Sequence, residues 1–135
     1  MRLLVADDDS AVRTALRLVL EDAGHEVLQA TSVVQAREVL SRGITDVVLV
    51  DAGISEAGVA LWRELEANPL HEGRALLLTG NLPALGGLRD HAMVYAKPFD
   101  YAELLRRIDS LGPRPHSGQG AATVTTDSLV STPST

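Results

Sequence analysis

The chain has 135 residues, a formal net charge of −6, 45% hydrophobic and 22% charged residues, and no cysteine. That is enough for one domain with a real core, and it excludes disulfides and thiolate metal sites. No apolar run approaches the length of a membrane span, the N-terminus carries no secretory pattern, and no basic stripe supports direct nucleic-acid binding, so a cytoplasmic protein is the expectation.

The opening run Leu3-Leu4-Val5-Ala6 reads as a buried strand closed by Asp7-Asp8-Asp9. Ser10 or Asp9 can cap the helix that follows. Val12, Ala15, Leu16, Val19, Leu20 and Ala23 recur at helical spacing, and Gly24 stands where a helix ends. The next apolar run, Glu26-Val27-Leu28-Gln29-Ala30, is short and more polar, as an edge strand is. Thr31 or Ser32 caps a second helix with Val33, Ala36, Val39 and Leu40 on one face and Gly43 after it.

Val47-Val48-Leu49-Val50, between Asp46 and Asp51, has the β-branched character of a strand buried on both faces. Residues 52–58 carry turn chemistry and no second apolar run. A third helix spans roughly residues 59–67, with Leu61, Trp62 and Leu65 apolar; Trp62 is read as packing, and Asn68-Pro69 stops the helix. Ala75-Leu76-Leu77-Leu78 forms a fourth buried strand ending in Thr79-Gly80. Breakers through residues 81–87 leave room for a helix of one or two turns, around residues 85–90. Met93-Val94-Tyr95-Ala96 is a fifth strand ending in Lys97-Pro98-Phe99. Asp100 and Glu103 open a last helix with Leu104, Leu105, Ile108 and Leu111 on its apolar side, and Gly112-Pro113 ends it. One domain over residues 1–112 is expected. Residues 113–135, rich in Ser, Thr, Gly and Pro, are expected to form a disordered tail or linker.

Strands alternating with helices predict an α/β domain with a doubly wound, five-stranded parallel sheet. In the flavodoxin-like order 2-1-3-4-5, ligands bind beyond the carboxyl ends of the strands at the switch point. There Asp7, Asp8 and Asp51 converge, with Thr79 and Lys97 at the ends of the next strands. Three clustered carboxylates repel one another and suit a hard divalent cation such as Mg²⁺, with phosphate oxygens completing its shell. Lys97 is the single lysine beside eleven arginines, and it offers a compact ammonium on a flexible stem. Thr79 adds a hydroxyl donor. A carboxylate nucleophile, a metal, a cation and a donor are the parts of a phosphoryl-transfer site. The Arg106-Arg107 pair reads as a solvated helix face.

With these motifs in order, residues 2–111 resemble the receiver domains of two-component response regulators, including the single-domain chemotaxis regulators. The acidic pair after the first strand, the acid after the third, Leu76-Leu77-Leu78-Thr79-Gly80 and Lys97-Pro98-Phe99 carry the likeness. The resemblance implies that Asp51 is the phosphoacceptor. Asp8 would bind Mg²⁺ directly, and Asp7 directly or through water. The Gly53 carbonyl would be a further ligand, and Thr79 and Lys97 would hold the phosphoryl oxygens. It also implies a cis Lys97-Pro98 bond and a histidine kinase or phosphotransfer protein as donor.

Four positions depart from the pattern. Ser55 replaces a common proline, and the loop after Asp51 is one residue short. Val94 stands where the family's switch aromatic lies, with Tyr95 one position off, and the span from Thr79 to Lys97 is compressed, which shortens the fourth helix. These touch the output surface, so a monomer that does not dimerise through that face is expected. Two further readings remain at this point. An aspartyl-phosphate hydrolase would want an acid where Gly53 stands. A receiver-like scaffold would bind partners without phosphorylation.

Overall fold

The computed structural model of this protein describes residues 1–114, so the expected tail beyond Arg114 lies outside the described residues. The strands are β1 (Arg2–Ala6), β2 (Glu26–Ala30), β3 (Val47–Asp51), β4 (Ala75–Thr79) and β5 (Val94–Ala96). The helices are α1 (Ser10–Asp22), α2 (Val33–Ser41), α3 (Gly58–Glu66) and α4 (Tyr101–Leu111). The sheet runs β2-β1-β3-β4-β5 with every pairing parallel, the expected order.

β3 and β4 are buried along their whole length, and β2 is only partly covered. This is why the first two read as unbroken apolar runs and the third as a mixed one. Leu49, Leu76, Leu77 and Leu78 are fully buried, each stabilising the fold by roughly 1.5–3 kcal/mol. Right-handed crossovers put α1 and α4 on one face of this sheet and α2 and α3 on the other. Across the first face, Arg107 of α4 donates to the Tyr95 hydroxyl at 3.1 Å. On the second face, Arg37 of α2 meets Glu64 of α3 through two hydrogen bonds of 2.6 and 2.9 Å.

The helix ends follow local chemistry. Asp9, rather than Ser10, caps α1 by accepting from the N–H groups of Ala11 and Val12. Ser32, rather than Thr31, caps α2 through Gln35 N–H at 3.1 Å, while Gln35 Oε1 accepts from Thr31 N–H at 2.7 Å. That reciprocal pair satisfies two donors that would otherwise be orphaned at the helix start. Asp100 caps α4 by accepting from Glu103 N–H.

The fourth crossover differs from expectation. In place of a short α-helix over residues 85–90 it holds a 3-10 stretch at Leu82–Leu88. Pro83 sits in the first turn, where its missing N–H costs nothing, so the turn begins earlier. Gly86, at φ 58° and ψ −121°, then breaks it. β5 is one residue shorter than expected: Met93 is buried and its carbonyl accepts from Leu77 N–H at 2.9 Å, but the strand begins at Val94.

Candidate functional site

β1 and β3 are neighbours at the centre of the sheet, with Ala6 opposite Val50. The residues that follow Ala6 and Val50 therefore emerge side by side, and this brings the acids together. Asp7, Asp8 and Asp51 each offer a carboxylate oxygen within 4.8 Å of the others. Asp7 and Asp51 are buried, whereas Asp8 is exposed. Asp7 is held in place: its Oδ1 accepts from Asp9 N–H at 2.9 Å, and its carbonyl accepts from the Arg13 guanidinium at 2.8 Å. No sequence pattern singled out Arg13; only its place in the first turn of α1, next to the acidic run, could have done so.

Lys97 reaches into this mouth from the end of β5. Its Nζ lies 3.1 Å from Asp7 Oδ2 and 3.1 Å from Asp51 Oδ1. The Lys97-Pro98 peptide is cis, as the resemblance implied. Lys97 N–H donates to the Thr79 carbonyl at 2.7 Å, so the ends of β4 and β5 are tied together. Thr79 is buried, and its Oγ1 accepts from Asn81 N–H at 3.0 Å, leaving the hydroxyl hydrogen to donate elsewhere.

The electrostatics follow from this crowding. Burial, and then the negative charge of Asp7, push the Asp51 carboxyl above its ordinary pKa. The Lys97 hydrogen bond and charge and the Gly53 N–H pull it back only in part. Burial pulls the Lys97 ammonium down, but its hydrogen bonds to Asp7 and Asp51 and their charges outweigh that, and its pKa is raised. A hard divalent cation fits the donor set, since every candidate ligand is an oxygen and three are carboxylates. The Gly53 backbone lies beside them: a Cβ there would sit 3.4 Å from Asp51 Oδ2.

The pleat decides what can couple to Thr79. Leu77 pairs with Val94 and Leu78 with Tyr95. Side chains alternate along a strand, so Thr79 and Val94 share one face and Tyr95 stands on the other. Tyr95 therefore serves the α4 side, through Arg107.

The sequence profile of the response regulator receiver domain matches residues 3–109. The transcriptional regulatory protein PhoP of Escherichia coli (strain K12) is 30% identical over 118 residues, an alignment covering 82% of this chain and 52% of PhoP. The chain thus spans about half the length of the curated relatives it matches. A putative response regulator from Chloroflexus aurantiacus J-10-fl shares 32% identity and a TM-score of 0.67, over 82% of this chain and 95% of that one. A CheY-like response regulator receiver domain protein from Methanospirillum hungatei JF-1 shares 27% identity and a TM-score of 0.58, over 79% of this chain and 90% of that one. Among the described residues no helix is long and apolar enough to cross a membrane.

Proposed function

The chain belongs to the response regulator receiver domains of two-component systems, and from that premise we propose that Asp51 accepts a phosphoryl group from a phosphohistidine on a histidine kinase or phosphotransfer protein. The observation that carries this reading is the placement of Lys97 Nζ 3.1 Å from Asp51 Oδ1, at the mouth of the three-carboxylate cluster. A carboxylate oxygen of Asp51 attacks phosphorus as the P–N bond to the donor imidazole breaks. The product is an acyl phosphate on Asp51. Lys97 and the Thr79 hydroxyl bind the phosphoryl oxygens, holding charge that develops during transfer.

Asp8, Asp7, Asp51 and the Gly53 carbonyl would hold Mg²⁺. The ion supplies the positive charge that lets a further anion enter an acidic site. The protein modifies only itself and releases the group by hydrolysis, with no separate substrate turned over. Gly53 stands where an aspartyl-phosphate hydrolase would carry its acid, which disfavours that alternative. A scaffold does not call for a three-carboxylate mouth with an ammonium beside Asp51, which disfavours that alternative.

Hydroxylamine tests the chemistry. After incubation with a small acyl-phosphate donor and Mg²⁺, the bound group should be released by hydroxylamine, which cleaves acyl phosphates. A hydroxylamine-resistant group would place the modification on a hydroxyl and overturn the reading.

A further inference from the structure

We propose that Gly58 is a positioning residue for the cation site: its bare Cα lets the first turn of α3 close on the carbonyls of Asp51 and Ala52, and that closure fixes the loop carrying Gly53. The inference rests on the reading of Asp51, Asp7, Asp8 and Gly53 as a cation site.

A Cβ on Gly58 would lie 2.7 Å from the Asp51 oxygen and 2.8 Å from the Ala52 oxygen, with the Ala52 carbonyl carbon at 3.1 Å. All three are backbone atoms, which cannot swing aside as a side-chain tip can. Gly58 is helical and is not among the glycines with positive φ, so what the position demands is space and not a special backbone conformation. At Gly80 and Gly87, by contrast, a Cβ would meet nothing within 4 Å.

The contact matters because α3 begins without a side-chain cap, with Ala57 at its N-terminus. The loop is tied to itself instead. Ile54 N–H donates to the Asp51 carbonyl at 3.1 Å, Gly58 N–H to the Ser55 carbonyl at 3.2 Å, and Ala57 N–H to Ser55 Oγ at 3.0 Å. Its near end is pinned to β4 by Ala52 N–H on the Leu78 carbonyl at 2.7 Å. The segment from Asp51 to Gly58 is thus a short closed frame whose ends touch, and Gly53 hangs within it. A Cβ that close to backbone oxygens forces the ends of the frame apart until ordinary contact distance is reached, and that shifts Gly53 relative to the carboxylates. Oxygen sites for small divalent cations tolerate such shifts poorly.

The test is calorimetric titration of the full chain with Mg²⁺, well below the melting temperature. Gly58→Ala should weaken binding about 10–100-fold, the usual effect of disturbing the groups that orient metal ligands. Three glycines inserted after Ser55 carry the loop beyond the family's usual length, decouple α3 from Asp51 without any clash and should weaken binding by a similar factor. Gly87→Ala should bind as wild type. So should Ile108→Val, a core change on the α4 side that lowers stability without touching the frame. Wild-type affinity in Gly58→Ala, or in the insertion variant should Gly58→Ala not fold, overturns the inference and leaves the cation site standing. Absence of any Mg²⁺ binding in wild type that Asp8→Ala removes overturns the site reading and the inference together.

Discussion

Lys97 and Asp7 stand 90 residues apart in the chain, yet their side chains meet at 3.1 Å across the mouth of the sheet. Asp7 is fully buried, and the Lys97 side chain is 23% exposed, so the pair is screened less than a surface bridge. Lys97→Met leaves Asp7 and Asp51 facing each other without a cation. The variant is expected to lose about 1–3 kcal/mol of stability, less than the full cost of breaking a buried pair because Lys97 is partly solvated. Urea unfolding checks this, and Asp51→Asn should restore part of the loss by removing one of the two facing charges. A Lys97→Met protein as stable as wild type would contradict the electrostatic account.

Asp51 carries a pH signature of its own. In the unfolded chain it releases its proton near the ordinary 3.8, while the folded protein retains it to higher pH, chiefly because the group is buried and then because Asp7 is close. Across that window the unfolded state binds fewer protons, so stability falls as pH rises, and the loss persists at neutral pH. Asp51→Asn removes it. Without divalent cations the variant should melt above wild type at neutral pH, with the difference closing as pH falls below 3.8. A variant that melts lower at neutral pH would show that the Lys97 contact outweighs burial.

The opposite edge of the sheet is held by Asp46. Its carboxylate accepts from Arg2 N–H at 2.9 Å and from Arg114 N–H at 2.9 Å, joining the start of β1 to the chain after α4. Asp46→Ala leaves those donors without their partner in a partly buried setting and should cost about 1–3 kcal/mol. Mg²⁺ affinity, measured at the other end of the strands, should not change. A matching loss of affinity would mean that the two edges are coupled.

Much of this was legible in the chain itself. Apolar runs of four residues in β1, β3 and β4, each closed by a polar residue, marked the central strands and the acids at their ends, and the alternation of strands with helices narrowed the strand order. Gly24 and Gly43 marked helix ends and do adopt positive φ, 95° and 71°. Other features depend on contacts that no local pattern encodes. Gly58 looks like any turn glycine until α3 is seen against the Asp51 carbonyl. Asp46 reads as the polar lead-in to a strand, and its link to Arg114 spans 68 residues. In the fourth crossover a breaker pattern does not give the bounds of the turn: Pro83 sits in the first turn of a 3-10 stretch, and Gly86 kinks that stretch inside its span.

Output through the α4 face is the next test. Val94, on the face of Thr79, is too short to follow the hydroxyl as a ring would, and Tyr95 points the other way to Arg107. A switch needs an element with two arrangements, and a 3-10 stretch at Leu82–Leu88 offers little surface for one. Sedimentation velocity at matched concentration should find the unmodified and phosphorylated forms equally monomeric. A phosphorylation-dependent dimer abolished by Tyr95→Ala would contradict this.

The central claim is that Asp51 takes one phosphoryl group with the help of a divalent cation, and intact-mass spectrometry after incubation with a small phosphodonor tests it most directly. Wild type should gain the mass of a single phosphoryl group with Mg²⁺, should gain none when the cation is chelated, and Asp51→Asn should gain none under either condition. Modification of Asp51→Asn at the wild-type rate, or modification of wild type that ignores the chelator, would contradict the account.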